Sequence, residues 1–182
     1  MSDDVVLGVA IAIPQPHATV LTKWRRDVGD PAADRIFPHV TLLPPTPVAC
    51  GQLDGIEDHL RLAAAASAPF TMHLSGTGTF RPASPVVFVQ VARGVADCEA
   101  LERAVRRGPL ERELQFPYHP HVTVAQEIDE ASLDRAYDGL SGFVARFRVE
   151  KFVLFSREHD RWSWRTEFAL GGAGGTGAAA GK

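Results

Sequence analysis

The sequence predicts a duplicated fold of mixed strands and helices, two similar lobes related by a pseudo-twofold axis. Three observations carry this. The string Pro38-His39-Val40-Thr41 returns as Pro120-His121-Val122-Thr123, and an aliphatic residue follows each copy, Leu42 and Val124. The order strand, helix, motif strand, helix, strand reads from 5 to 75 and again from 86 to 155. The leading strand precedes the motif histidine by 34 residues in the first half and by 35 in the second. A twofold axis would bring the two motif strands together between the lobes, a common place for a ligand cleft.

The elements follow from local pattern. Residues 5–13 (VVLGVAIAI) are apolar at nearly every position and end at Pro14, as a buried central strand would. A helix then starts near Pro16, with Val20, Leu21 and Trp24 on one face and Gly29 as its stop. The first motif strand is expected over 35–43, ended by Pro44-Pro45-Thr46-Pro47. Residues 53–66 place Ile56, Leu60, Ala63 and Ala64 at helical spacing. A strand over 70–75, a loop over 76–82 and an apolar strand over 85–92 come next. The helix over 95–107 turns Leu101 and Val105 inward, and 116–126 carries the second motif. A helix over 129–140 has Asp129 as its cap and Leu133, Ala136 and Tyr137 as its apolar side. Residues 143–155 and 162–170 read as two strands joined by a polar turn. The expectation is one bilobal domain over 1–170, with lobe halves of about 5–75 and 86–155 plus a final hairpin strand at 162–170. The stretch 171–182 (GGAGGTGAAAGK) has almost nothing to bury and reads as a disordered tail.

Bulk properties exclude several classes. A chain of 182 residues can bury about 70% of its unfolded surface and needs no disulfide or metal to fold. Its net charge of −3 gives no general attraction to long nucleic acid. Cys50 and Cys98 match no metal spacing and read as reduced thiols. The start, Met1-Ser2-Asp3-Asp4, lacks the basic region of a signal peptide, and no apolar run is long enough to span a membrane. We expect a soluble, cytoplasmic monomer with no obligatory protein partner.

The motif has a definite chemical reading. Alternate side chains of a strand point to opposite faces. Val40, Leu42, Val122 and Val124 then face the core, while His39 with Thr41, and His121 with Thr123, face out together. Packing accounts for the aliphatic positions but gives no reason for His and Thr to recur on both polar faces. Two such pairs at one cleft offer two proton-transfer groups and two hydroxyl donors.

With both copies of His-Val-Thr-aliphatic in place, the chain resembles the two-histidine phosphoesterase superfamily, which includes the 2′-5′ RNA ligases and the 2′,3′-cyclic-nucleotide phosphodiesterases. The resemblance spans about 5–170 and includes the Gly76 to Phe88 passage. It implies an α+β fold, bilobal, with two antiparallel-rich sheets and outer helices around a central cleft. It also implies catalysis without cofactor or metal on RNA-type phosphate esters. The expected partner is a nucleotide or RNA end bearing a cyclic phosphate. One departure is Ala125-Gln126, where the family often has a basic residue shortly after the second motif; Gln126 can donate a hydrogen bond but adds no charge.

Opening a cyclic phosphodiester requires a base for the attacking water and an acid for the leaving alkoxide. Imidazoles suit both, because small shifts hold one neutral and the other charged. His121 is assigned as the base and His39 as the acid, though the symmetry fits the reverse equally. Thr41 and Thr123 would hold the non-bridging oxygens. Phe37, Tyr118 and Gln126 are the candidate substrate-binding residues; Phe37 and Tyr118 precede the two motifs and could stack on a base or ribose, with core packing the alternative. Trp162 and Trp164 share one strand face and could stack on a base, with sheet packing the alternative. Arg81 could reach a phosphate but reads first as a solvated loop residue, and His17, His59, His73 and His159 read as structural or surface groups. His39, His119 and His121 could imitate a three-histidine zinc site, a reading that leaves both threonines unexplained. The alternative function is a non-catalytic nucleotide or RNA binding module using the same cleft. A purely structural scaffold comes third.

Overall fold

A computed structural model of the chain describes residues 4–158 and 161–171. His159 and residues 172–182, to which expectations were attached, lie outside the described residues. The elements run β1 (Asp4–Ala12), α1 (His17–Asp27), β2 (His39–Ala49), α2 (Leu53–Ala65), β3 (Phe70–Thr79), β4 (Val86–Arg93), α3 (Val95–Val105), β5 (His121–Gln126), α4 (Glu130–Gly139), β6 (Val144–Val149), β7 (Lys151–Glu158) and β8 (Arg161–Ala169). No helix among the described residues is long and apolar enough to cross a membrane.

The strands are ordered β6-β3-β4-β5-β2-β1-β7-β8, with antiparallel neighbours throughout. The centre of this sheet is thin. β2 and β5 are joined by the single pair Val40–Val122, so two four-stranded halves meet at one ladder position. The two antiparallel arrays expected from the sequence are thus fused edge to edge through their motif strands.

The division of the chain differs from the expected lobes. β3 does not close the first half; it pairs with β4 and β6. β7 returns to β1 and carries β8 with it. The halves in space are β1, β2, β7 and β8 against β3 to β6. A short β3–β4 connection keeps the loop entropy of local antiparallel pairing small, whereas the repeated element order hid that preference.

Several element boundaries shift for identifiable reasons. β2 runs on through Pro44, Pro45 and Pro47, pairing Thr46 with Leu7 and Pro47 with Val6. Beyond Val40 its other side has no registered partner on β5, so proline costs little there, as on any sheet edge. The expected loop at 76–79 is strand, with Gly78 opposite Phe88 and Thr79 opposite Val87. A Cβ at Gly78 would sit 2.6 Å from the Phe88 ring, so the absence of a side chain lets that ring lie across the strand. Both motif strands begin at their histidine, because Pro38 and Pro120 bring no N–H to a ladder.

The helices cover the sheet with the expected stripes. α2 buries Ile56, Leu60, Ala63 and Ala64, and α3 buries Leu101 and Val105. The Asp129 carboxylate caps α4, accepting from the Ser132 N–H at 2.9 Å. α1 is turned differently from expectation. Val20 is 43% exposed, and the buried positions are Leu21 and Arg25, one turn apart. The inward arginine bears on the site.

Candidate active site

The motif strands alternate as expected. Val40, Leu42, Val122 and Val124 are buried, while His39, Thr41, His121 and Thr123 are half-buried. The Val40–Val122 register does the rest. In an antiparallel pair it sets Thr123 opposite His39 and His121 opposite Thr41. All four polar side chains therefore share one face, with His39 and His121 at diagonal positions, whose backbones strand geometry spaces about 7–8 Å apart. β1 offers only small residues on this face beside β2, Ala12 opposite His39 and Ala10 opposite Thr41. A cleft of about 290 Å³ opens beside three of the four, lined by His39, Thr41, Thr123 and Gln126 together with Arg25, Phe155 and Trp162, while His121 lies on the same strand face outside this lining.

Each imidazole is pinned in the same way. Nδ1 of His39 lies 2.7 Å from the Phe37 carbonyl, and Nδ1 of His121 lies 2.7 Å from the His119 carbonyl. A carbonyl only accepts, so both Nδ1 atoms donate, and the lone pair of each neutral ring sits on Nε2. Aromatic rings flank both. His39 contacts Phe37 at 5.5 Å and Phe155 at 6.1 Å between centroids. His121 contacts Phe80 at 5.0 Å and Phe88 at 5.1 Å. Glycine makes room in both halves, Gly8 beneath the Phe155 ring and Gly78 beneath that of Phe88.

The electrostatics separate the two histidines. Burial pushes His39 down to about 4, assisted by the positive charges of Arg25 and of His121. His121 is also lowered, by burial first and then by the charge of His119, with its carbonyl bond to His119 opposing. The two copies differ at the residue two before the histidine. Phe37 stands where the second copy has His119, which is exposed and stacks on His121 at 5.9 Å with planes 23° apart.

Arg25 is the charged wall of the cleft. Its side chain is 3% exposed; Nε donates to Asp30 Oδ2 at 2.8 Å and a terminal nitrogen donates to the Ile36 carbonyl at 2.7 Å. Asp30 also accepts from the Ala32 N–H at 2.8 Å, so the pair ties the end of α1 to the segment entering β2. A buried cation so held costs less than an unpaired one, and it disfavours a proton on His39.

Other sequence candidates fall in different places. Gln126 and Trp162 line the cleft. Phe37 borders His39 from outside it, within an aromatic group that includes Trp164 at 5.1 Å. Tyr118 corrects an expectation. It does not line the cleft; its ring packs on the core and its hydroxyl donates to the Thr41 carbonyl at 2.8 Å. Its place is thus to hold the first motif strand. Arg81 is not a free loop cation, since it pairs with Glu130 and Asp134, each at 2.8 Å. His17 packs on Phe143 and Phe147, and Nε2 of His59 bonds the Val105 carbonyl at 3.0 Å. Among the described residues no three His, Cys, Asp or Glu side chains are grouped to hold a metal ion, which counts against the three-histidine zinc reading.

Sequence reasoning missed Arg25, Phe80, Phe88 and Phe155, and it considered His119 only as a zinc ligand, not as the ring that stacks on His121. His119 was visible in the alignment of the two copies, and Arg25 in its i+4 spacing from Leu21. The phenylalanines come from registers that no local pattern encodes.

A duplicated antiparallel fold with one His and one Thr from each half on a shared face defines the class of two-histidine phosphoesterases. The sequence matches the 2′-5′ RNA ligase superfamily over residues 13–161, and the chain belongs to that family. A Bacillus cytotoxicus protein named "Putative phosphoesterase Bcer98_0945" is 28% identical over 145 residues, covering 78% of this chain and 84% of that one. A Bacillus cereus relative, "Putative phosphoesterase BCAH820_1309", is 26% identical over the same shares. Among solved structures, E. coli LigT in complex with 3′-AMP superposes with a TM-score of 0.71 at 21% identity, over 92% of this chain and 98% of that one. The Thermus thermophilus protein TT0787 gives 0.62 at 22% identity, over 93% and 100%. These two likenesses establish the fold.

Proposed function

We propose that this protein hydrolyses 2′,3′-cyclic phosphodiesters of nucleotides or RNA ends by general acid–base catalysis without a metal. The observation that carries the reading is the Val40–Val122 register, which gathers His39, Thr41, His121 and Thr123 on one face with both Nδ1 atoms engaged. Each Nε2 is then available to substrate. Family membership and the relatives named as phosphoesterases support phosphate-ester chemistry.

The roles are the reverse of the first assignment. His39 is the more firmly neutral of the two, so its Nε2 takes a proton from the attacking water. The water oxygen bonds phosphorus, the ring P–O bond breaks in line, and the leaving alkoxide takes a proton from His121. An anionic phosphate in the cleft favours the proton His121 needs. The Thr41 and Thr123 hydroxyls donate to the non-bridging oxygens. Gln126 adds a neutral donor, and Arg25 supplies charge from the wall. With a ribose 5′-hydroxyl in place of water as the nucleophile and the 3′-alkoxide as the leaving group, the same groups would form a 2′-5′ linkage.

Incubation of the purified protein with adenosine 2′,3′-cyclic phosphate, with product analysis at several pH values, tests this. Turnover to one ring-opened monophosphate is expected. Binding without turnover at every pH would instead establish the non-catalytic module.

A further inference from the structure

A second hollow adjoins the histidine cleft. It measures about 340 Å³ and shares Ile36 and Trp162 with the cleft as wall residues, so these two side chains stand between the two spaces. Its walls are of a different kind. Arg35 and Arg161 are exposed on it, and neither is paired with a carboxylate among the described residues. Arg26 and Asp34 also border it and are engaged with each other, so they add no net charge to the wall. Gln15 and Thr22 add hydrogen-bonding groups, and Phe37 and Trp162 add aromatic surface. The walls are tied together, because the Trp162 N–H donates to the Arg35 carbonyl at 3.4 Å and Phe37 packs on the far side of His39.

In a chain of net charge −3, two guanidinium groups with no carboxylate partner among the described residues, set beside an aromatic surface, are a local reversal of sign. Guanidinium forks match phosphate oxygens, and aromatic faces accept a nucleobase or ribose. We infer that this hollow is a second phosphate subsite, holding the phosphate on the 5′ side of the nucleoside whose cyclic phosphate sits between the histidines. The substrate class is then a 5′-phosphorylated nucleoside cyclic phosphate or an oligonucleotide end, in preference to a bare cyclic mononucleoside. This rests on the cyclic-phosphate reading of the cleft and adds to it a direction, with the chain leaving past Phe37 and Trp162 toward Arg35 and Arg161.

The test is binding by calorimetry, which needs no turnover. The probes are 3′-AMP, 5′-AMP and adenosine 3′,5′-bisphosphate, applied to the wild-type chain and to Arg35→Gln/Arg161→Gln. Both substitutions are on exposed positions, and circular dichroism confirms the fold. The bisphosphate should bind the wild-type chain about tenfold or more tightly than 3′-AMP. The double variant should lose that advantage while binding 3′-AMP within about twofold of wild type, and its bisphosphate affinity should depend less on salt. Equal wild-type affinity for 3′-AMP and the bisphosphate would overturn the proposal. So would a loss common to both ligands, which would mark a diffuse charge effect. If the cleft takes no 3′-phosphate at all, 5′-AMP should still bind in an Arg35- and Arg161-dependent manner. The failure of the cleft reading and the failure of the subsite are thereby told apart.

Discussion

The neutral state of His39 should be measurable as stability. Its folded pKa of about 4 lies below the 6.5 of a free imidazole. Between those values the unfolded chain binds the proton and the folded chain does not, so stability rises with pH across the window. The contribution is complete above 6.5 and is lost as pH falls toward 4. The gap between 6.5 and about 4 corresponds to about 3 kcal/mol in full. The ring is half-buried and open to water on the cleft side, which brings the expectation to about 1–2 kcal/mol. His39→Asn keeps an N–H near the Phe37 carbonyl and removes the titration. Urea unfolding at pH 7.5 and pH 4.5 should show the wild-type chain losing about 1–2 kcal/mol more than the variant on acidification. Parallel losses in the two chains would refute the argument that burial and Arg25 hold this imidazole neutral.

Four further outcomes follow from the same geometry. His119→Phe removes the charge that faces His121 and makes the second motif match the first; the basic limb of kcat/KM should move to higher pH with the acidic limb unchanged. Arg25→Met leaves Asp30 as a buried unpaired carboxylate and should cost about 3–5 kcal/mol in urea unfolding, most of it restored by adding Asp30→Asn. Gly78→Ala drives a methyl into the Phe88 ring; it should cost about 1–3 kcal/mol and lower kcat, because Phe88 packs on His121. Tyr118→Phe removes the bond to the Thr41 carbonyl and should cost about 1 kcal/mol, with KM for a cyclic nucleotide changed less than kcat.

How much of this was legible in the sequence depends on range. The alternation of His-Val-Thr-Leu and His-Val-Thr-Val placed four side chains on polar strand faces, and the burial of each intervening aliphatic agrees. The apolar runs and the helical spacing of Ile56, Leu60 and Ala64 located most elements. Pairing was not legible. Nothing local says that β3 joins β4 and β6, or that β7 returns to β1, because those choices rest on loop entropy and on contacts far apart in the chain. Gly78 read as a loop residue because glycine is common in turns, yet here it clears space for a ring across the ladder. Tyr118 read as a stacking residue by its nearness to the motif, and tertiary packing instead commits its hydroxyl to Thr41. Arg25 was passed over because arginine on a surface helix is ordinarily solvated, and only the fold shows Asp30 waiting for it.

The paired action of the two imidazoles is tested most directly by initial rates on adenosine 2′,3′-cyclic phosphate for the wild-type chain, His39→Ala, His121→Ala and the double variant, each with its fold checked. Each single replacement should lower kcat by about a hundred- to ten-thousandfold, and the double variant should be little worse than the weaker single one, because both groups serve one displacement. A folded single variant that keeps the wild-type rate would contradict the account.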